Sequence, residues 1–270
     1  MKKQLHTTIL ATLAAVALTL AACASADKKI TIPEVEKELN AAYLFHQDWQ
    51  EMTFEDFIVS NNVWGKKDTT NYVQYIYRQS EESEFPFGWG WYWPKEDGRV
   101  KAYPEIIYGF KPWASRSTND ALPIRVNNIG DITVAYDITS TATHDYNLSF
   151  DIWVTKEQRP TPQNITHEVM IWLDQKDLLP VGELVETVTL GGEEYDFYAG
   201  NVSQGTWQYL AFVKKTPEYK GDTKINLFFD YLVKKNYVKP EQYLASIEFG
   251  NEVVAGSART TFQNYQVSVN

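Results

Sequence analysis

The sequence predicts an all-β protein, a sandwich of two antiparallel sheets that carries one helix. Short runs rich in Val, Ile, Thr, Tyr, Phe and Trp recur along the chain, and clusters of Asn, Gly, Asp and Pro separate them. Many short strands with turn signals between them are typical of a sandwich or a barrel. In one segment alone the apolar residues recur at the spacing of a helix, so a sandwich with one helix is the preferred interpretation.

Each predicted strand combines β-branched or aromatic residues with turn residues at its ends. In chain order the predicted strands cover residues 71–77, 131–140, 146–155, 168–173, 184–190, 206–213 and 260–269. The predicted helix has apolar residues at Leu227, Phe228, Tyr231 and Leu232, and Pro240 lies beyond its end.

The N-terminus has the pattern of an export signal. Lys2 and Lys3 precede an apolar stretch over residues 8–20, which is short for a membrane span. The following Leu-Ala-Ala-Cys23 resembles the lipobox of bacterial lipoproteins, and Cys23 is the only cysteine in the chain. The sequence therefore predicts a signal peptide over 1–22, lipidation of Cys23, a polar tether over 23–40 and one domain over 41–270.

An alternative for the same segment is an ordinary signal peptide cut near Ala22 or Ala26. Under the lipoprotein interpretation we expect attachment to the outer membrane of the cell envelope, because Ala24 stands where an inner-membrane retention signal would place Asp. Release as a secreted protein is the other destination that this segment allows.

The net charge argues against nucleic acid as a partner. Loss of residues 1–22 removes two of the 25 basic residues, which leaves 23 against 35 acidic residues and a net charge of −12. Nucleic-acid binding requires a basic surface. A neutral ligand suits this chain better, and a monomer is expected.

A carboxylate with unusual neighbours lies in the predicted strand 168–173. Side chains alternate across a strand, so Glu168, Met170 and Trp172 share one face, while Val169 and Ile171 share the apolar core face. A charge beside apolar groups loses hydration and its pKa shifts. Such a carboxylate is a candidate for acid–base or nucleophilic chemistry.

Two more carboxylates are predicted on similar polar faces. In the strand 146–155 the core face leaves Asp151 and Trp153 on the other side, and near the C-terminus Glu248 and Glu252 share a face. Two carboxylates that face each other are the working groups of glycoside hydrolysis. Gly250 favours Glu252 over Glu248, because a glycine permits the close approach of a ligand.

The aromatic content favours a sugar as the ligand. The chain has nine Trp and 17 Tyr, and Trp89, Trp91 and Trp93 alternate within one short segment. Flat aromatic rings stack on the apolar faces of sugars, although tryptophans of this kind are also found in cores. We expect these indoles to lie on one face of an extended segment.

Several motifs in unbroken order resemble those of the family 12 glycoside hydrolases, which are endo-β-1,4-glucanases and xyloglucanases. They are Asn61-Asn-Val-Trp-Gly65, Trp91-Tyr-Trp93, Val100-Lys-Ala-Tyr-Pro104, Phe150-Asp-Ile-Trp153, Glu168-Val-Met-Ile-Trp-Leu173, Pro180-Val-Gly182 and Gly250-Asn-Glu252. The resemblance extends over about residues 57 to 269. It implies a β-jelly roll with a concave cleft that binds a β-glucan polysaccharide.

The resemblance also implies roles for individual residues. Glu168 would be the nucleophile, ionised at rest, and Glu252 the acid/base, protonated at rest, with Asp151 as a supporting carboxylate. No metal or organic cofactor would be needed, because two carboxyls supply the chemistry. The residues that the resemblance places against substrate are Asn62, Trp64, Trp91, Trp93, Met170 and Trp172.

Some positions depart from the family pattern. Val169 replaces the usual Leu, Val253 stands where many relatives have Pro or an aromatic residue, and the single cysteine excludes the disulfide of many relatives. These differences leave the preferred glucan open among cellulose, mixed-linkage glucan and xyloglucan. Two alternatives remain, a non-catalytic glycan-binding lipoprotein and an endo-β-1,4-xylanase of the related family 11 type.

Overall fold

The computed structural model describes residues 29–202 and 207–270 of the chain. The predicted signal peptide, Cys23 and Thr206 lie outside the described residues. Within the described ranges, no helix combines the length and the apolar character that a membrane span requires.

The described part contains sixteen strands, two α-helices and one turn of 3₁₀ helix. The helices are α1 (Ile32–Leu39), α2 (Ile225–Lys234) and the 3₁₀ turn Val126–Asn128. The strands are β1 (Tyr43–Phe45), β2 (Glu51–Thr53), β3 (Phe57–Ser60), β4 (Val73–Arg78), β5 (Phe87–Trp93), β6 (Glu105–Gly109), β7 (Ile124–Arg125), β8 (Ile132–Ser140), β9 (Tyr146–Thr155), β10 (Ile165–Lys176), β11 (Glu183–Leu190), β12 (Glu193–Asn201), β13 (Gln208–Lys214), β14 (Lys220–Lys224), β15 (Tyr243–Gly250) and β16 (Gly256–Val269).

The strands form two sheets that pack face to face. The six-stranded sheet has the order β1-β4-β5-β16-β8-β14, and the ten-stranded sheet has the order β11-β12-β13-β10-β9-β15-β6-β3-β2, with β7 paired to β15. This confirms the predicted two-sheet sandwich. The strand pairs in the described part of the chain are antiparallel except for β10 and β13, which run parallel. The prediction of two purely antiparallel sheets differs from the structure at this pair.

The core lies between the two sheets and is built from alternate residues of each strand. In β9 the side chains of Tyr146, Leu148, Phe150, Ile152 and Val154 are buried in it, as the alternating pattern predicts. The other residues of β9 therefore face away from the core, on the outer face of the ten-stranded sheet. That outer face is the surface on which the predicted carboxylates lie.

Helix α2 confirms the predicted helix, and α1 is a second helix that the sequence analysis did not predict. Thr31 caps α1 through a capping box with Glu34, and Val35 and Leu39 are buried against the six-stranded sheet. The interval 23–40, expected to be a tether, therefore ends in a packed helix. The sequence analysis did not predict this helix because its composition is mostly polar. Only Val35 and Leu39 of its eight residues are buried.

Candidate active site

Pairing of three strands brings the carboxylates together on the outer face of the ten-stranded sheet. Asp151 of β9 is opposite Met170 of β10, two residue pairs along the strands from Glu168 and on the same face of the sheet. On its other side Asp151 is opposite Glu248 of β15. Glu252 follows two residues after the end of β15. The sheet therefore gathers four acidic side chains from three adjacent chain segments.

Glu168 is bonded by an indole. The Nε1 of Trp207 donates a hydrogen bond to Oε2 of Glu168 at 2.8 Å. Burial raises the pKa of Glu168 to about 8, the Trp207 hydrogen bond acts to lower it, and the negative charges of Glu252 and Glu248 raise it. Glu168 therefore binds a proton more tightly than an exposed glutamate does, and its role as a nucleophile that is ionised at rest stays a prediction.

Glu252 is held by the side chain and backbone of Asn147. The Nδ2 of Asn147 donates to Oε2 of Glu252, and its Oδ1 accepts from the Glu252 backbone N–H at 3.0 Å. Burial raises the pKa of Glu252 to about 7, against the effect of the Asn147 hydrogen bond. A carboxyl with this pKa can hold a proton near neutral pH and release it.

Asp151 is buried between these groups. Its pKa is well above the ordinary value, first because of burial and then because of the charges of Glu168 and Glu248. No side chain in the described part of the chain gives Oδ1 of Asp151 a hydrogen bond. Burial therefore favours protonation of Asp151, and its role as a supporting carboxylate for Glu168 stays a prediction.

A half-buried lysine, Lys111, which the sequence analysis missed, lies beside the acidic group. Lys111 Nζ contacts Oε1 and Oε2 of Glu105 at 2.8 Å and Oε2 of Glu248 at 2.6 Å. We call these three side chains the Lys111 cluster. Burial of the carboxyls is compensated by the ammonium, because buried charges are stable only when paired. Of the three residues in this cluster, the sequence analysis singles out Glu248 alone, on the face that it shares with Glu252.

Asn62 connects the Lys111 cluster to an exposed tryptophan. Its Nδ2 donates to Oε1 of Glu105 at 2.7 Å, and its Oδ1 accepts from the backbone N–H of Trp64 at 2.9 Å. Asn62 is buried, with both ends of its amide bonded internally, so it has a positioning role rather than the predicted contact with sugar hydroxyls. Trp64 is 59% exposed and offers a free ring surface, and its contact with sugar stays a prediction.

The predicted sugar-binding role of Trp91 and Trp93 is wrong. Both are 1% exposed and belong to the core between the sheets, as does the neighbouring Trp89. Their alternation places all three indoles on the same face of β5, but that is the face covered by the ten-stranded sheet.

Met170 and Trp172 lie on the outer face of β10 as predicted, but each is only 1% exposed. The Sδ of Met170 accepts hydrogen bonds from the hydroxyl of Tyr209 and the indole of Trp172. Neither side chain offers a surface to a ligand, so the predicted contact with substrate gives way to a supporting role beside Tyr209.

A second group of three tryptophans lies beside Glu168, of which the sequence analysis placed Trp153 on this face and missed Trp113 and Trp207. Trp153 and Trp207 meet edge to face with their ring centroids 5.5 Å apart. The ring centroid of Trp113 lies 4.9 Å from that of Trp153 and 6.4 Å from that of Trp207. We call Trp113, Trp153 and Trp207 the outer tryptophans. Trp113 is 51% exposed, so this group presents an aromatic surface next to the carboxylates.

The outer face thus combines two carboxyls of raised pKa with exposed indoles. Carboxyls in such surroundings can serve as nucleophile and proton donor, and indoles stack on sugars. In the described ranges no three His, Cys, Asp or Glu side chains are grouped so as to hold a metal ion.

Comparison with known proteins places this site in a family. The model of glycosyl hydrolase family 12 matches residues 55–270. Endoglucanase S of Pectobacterium parmentieri is 34% identical over 220 residues, covering 79% of this chain and 81% of that protein. A xyloglucan-specific endo-beta-1,4-glucanase A of Emericella nidulans is 26% identical, over 83% of this chain and 90% of that protein.

Solved structures agree with these sequence matches. The native family 12 xyloglucanase from Bacillus licheniformis superposes with a TM-score of 0.79 at 28% identity, and the match covers 84% of this chain and all of that one. The two-sheet sandwich of this protein is the jelly roll of those enzymes. By sequence and by fold, the chain belongs to glycosyl hydrolase family 12.

Proposed function

We propose that this protein is an endo-acting β-1,4-glucanase that hydrolyses its substrate with retention of configuration. Glu168 attacks the anomeric carbon, and Glu252 transfers its proton to the leaving glycosidic oxygen as that bond breaks. Glu252 then removes a proton from water, which attacks the covalent glycosyl-enzyme and releases Glu168. The observation that carries the proposal is the placement of two half-buried glutamates of raised pKa on one open, tryptophan-lined face.

The two glutamates must differ in protonation for this reaction. Because the pKa of Glu168 is about 8 and that of Glu252 is about 7, only a fraction of molecules holds an ionised Glu168 together with a protonated Glu252. The hydrogen bond from Trp207 enlarges this fraction, since it favours the ionised form of Glu168. Substrate that excludes water changes both values again as the reaction proceeds.

The substrate is a β-1,4-linked glucan, in keeping with the relatives named above. The exposed ring of Trp64 on one side and of Trp113 on the other give a sugar chain two stacking surfaces. The hydrogen-bonded series from Trp64 through Asn62 to the Lys111 cluster fixes one of these surfaces relative to the carboxylates. Cellulose, mixed-linkage glucan and xyloglucan all have the backbone that such a face fits.

The test compares the purified protein with Glu168→Gln and Glu252→Gln on mixed-linkage glucan, xyloglucan, carboxymethyl cellulose and xylan. Release of reducing ends should fall by at least a factor of about 10³ in both variants, because each loses a group that takes part in bond breaking. Glu183→Gln on the exposed strand β11 is the matched control and should retain full activity. Proton NMR of the first product should show retained configuration.

Full activity in Glu168→Gln or Glu252→Gln would refute the assignment of that residue. Binding of glucan without hydrolysis by the unmodified protein would support a glycan-binding protein instead. Preferential release from xylan would support the xylanase alternative. The ranking of the three glucans would identify the preferred substrate.

We also propose that the enzyme is exported and anchored to the cell envelope by a lipid on Cys23, and that it acts as a monomer. The support is the Leu-Ala-Ala-Cys23 pattern after an apolar segment and the absence of any other cysteine in the sequence. Cys23→Ser should move the protein from the membrane fraction to the soluble fraction. An unchanged distribution would favour the ordinary signal peptide.

A further inference from the structure

The indole of Trp207 is the closest polar neighbour that the structure gives the Glu168 carboxylate. It donates from Nε1 to Oε2 at 2.8 Å. We propose that Trp207 is a positioning residue that orients the nucleophile Glu168 and favours its ionised form. This inference rests on the proposed function of Glu168 and adds a residue that no motif of the sequence analysis contained.

The donor is held in place by the other outer tryptophans. Trp207 and Trp153 meet at 85° and Trp207 and Trp113 at 76°, the edge-to-face geometry that aromatic rings prefer. Trp153 is 6% exposed and packs with Ile165 and Ala245, so it is a fixed wall for the Trp207 ring. A donor fixed before substrate arrives does not need to reorient during the reaction.

The orientation of the Glu168 carboxylate follows from which of its two oxygens accepts the Trp207 hydrogen bond. An indole N–H can donate but cannot accept, so its partner must be a carboxyl oxygen with a free lone pair. Since Trp207 occupies Oε2, the other oxygen of Glu168 is left to attack the anomeric carbon. Loss of the bond would let the carboxyl rotate about its last torsion, which is broad for glutamate.

The charges around Glu168 show why a neutral donor matters. In the described part of the chain, the titratable groups around Glu168 are Asp151 from β9, Glu248 from β15, Glu252 beyond β15, Tyr209 from β13 and Lys111 from the loop after β6, which acts on Asp151. Four of these five are acids. The single cation, Lys111, is bonded to Glu105 and Glu248. The Trp207 hydrogen bond is therefore the direct contact that offsets burial at Glu168.

Trp153 provides a matched control for a test. Its indole N–H finds no acceptor in the described part of the chain, whereas that of Trp207 bonds Glu168. Replacement of Trp153 or Trp207 by Phe removes the N–H and the five-membered ring of one indole among the outer tryptophans. The two variants differ in whether the lost N–H served the nucleophile.

The experiment measures kcat/KM against pH for the full chain and for Trp207→Phe and Trp153→Phe, on the glucan that the unmodified enzyme prefers. In Trp207→Phe the alkaline limb should move to higher pH by about one unit, because a Glu168 pKa above that of Glu252 makes Glu168 the second of the two carboxyls to ionise. At neutral pH kcat should fall by about tenfold, with a smaller change in KM. In Trp153→Phe the alkaline limb should stay at the position of the unmodified enzyme.

An alkaline limb of Trp207→Phe that coincides with those of the unmodified enzyme and Trp153→Phe would overturn the proposal and leave Trp207 as a packing residue. Should Trp207→Phe not fold, the indole N–H resonances of the unmodified protein carry the same test. One of them should titrate with the nucleophile, and its titration should vanish in Glu168→Gln. The absence of such a resonance would also overturn the proposal.

These outcomes are separate from those of the proposed function. A Glu168→Gln variant that keeps its activity refutes the function itself. An inactive Glu168→Gln together with an unmoved limb in Trp207→Phe refutes only the role of Trp207.

Discussion

Two groups of three tryptophans lie in different environments in this fold. Trp89, Trp91 and Trp93 on the six-stranded sheet are at most 1% exposed and lie in the core. The outer tryptophans lie over the ten-stranded sheet, where Trp113 is 51% exposed and Trp207 bonds a carboxylate. Alternation along a strand determines which side chains share a face, but the partner sheet determines whether that face is covered.

Hydrogen bonds distinguish the two groups in a second way. In the core, the Trp89 indole donates to the neutral amide of Asn251 at 2.8 Å and the Trp93 indole to that of Gln74 at 2.9 Å. On the outer face the Trp207 indole donates instead to an ionisable glutamate. The Trp91 and Trp153 indoles find no acceptor in the described part of the chain. The bonded indoles of the covered face therefore have neutral partners, and the bonded member of the outer tryptophans has a titratable one.

The largest effect on stability is expected when a core indole is removed. Trp89→Ala should lower the free energy of unfolding by about 3–5 kcal/mol, because it leaves a cavity among close-packed aromatic rings. Urea denaturation followed by circular dichroism measures this. A loss below about 1 kcal/mol would contradict the view that the β5 tryptophans are structural.

Removal of the ammonium from the Lys111 cluster should have an intermediate effect. Lys111→Met leaves two buried carboxyls without a cation, and we expect a loss of about 2 kcal/mol at neutral pH. Burial raises the pKa of Glu105, so proton uptake relieves the repulsion at low pH. The loss should therefore shrink as the pH falls towards 5 and grow as it rises towards 8.

The control for Lys111→Met is Lys95→Met, since Lys95 is 82% exposed in its ion pair with Asp145. That change should alter stability by less than about 0.5 kcal/mol at either pH. Equal effects of the two substitutions would show that the Lys111 cluster is not a stabilising unit.

The smallest effect on stability is expected at the outer tryptophan that is most exposed. Trp113→Ala should change the free energy of unfolding by less than about 1 kcal/mol, since half of the ring is already in water. It should nevertheless raise KM for glucan several-fold if the ring stacks on sugar. An unchanged KM would remove Trp113 from the binding surface and leave it as a lid over Trp207 and Trp153.

The fold was predictable because its signals are local. Strand β9 begins and ends at the predicted residues, and the α2 pattern needs only residues within ten positions of one another. The candidate pair of glutamates followed from motifs. The Lys111 cluster and Trp207 could not be predicted, because they depend on pairings between segments far apart in sequence. Lys111 and Glu248 are separated by 137 positions, and Trp207 and Glu168 by 39.

The position of the last strand has a consequence for how the chain is made. Strand β16 ends at Val269, yet it lies in the middle of the six-stranded sheet between β5 and β8. Until β16 has been synthesised, β5 and β8 each present an open edge, and the core tryptophans have no complete sheet behind them. The sandwich therefore closes only after β16 has joined the chain. We expect truncation before β16 to cause aggregation rather than a mild defect, because it leaves both of these edges and the aromatic core open.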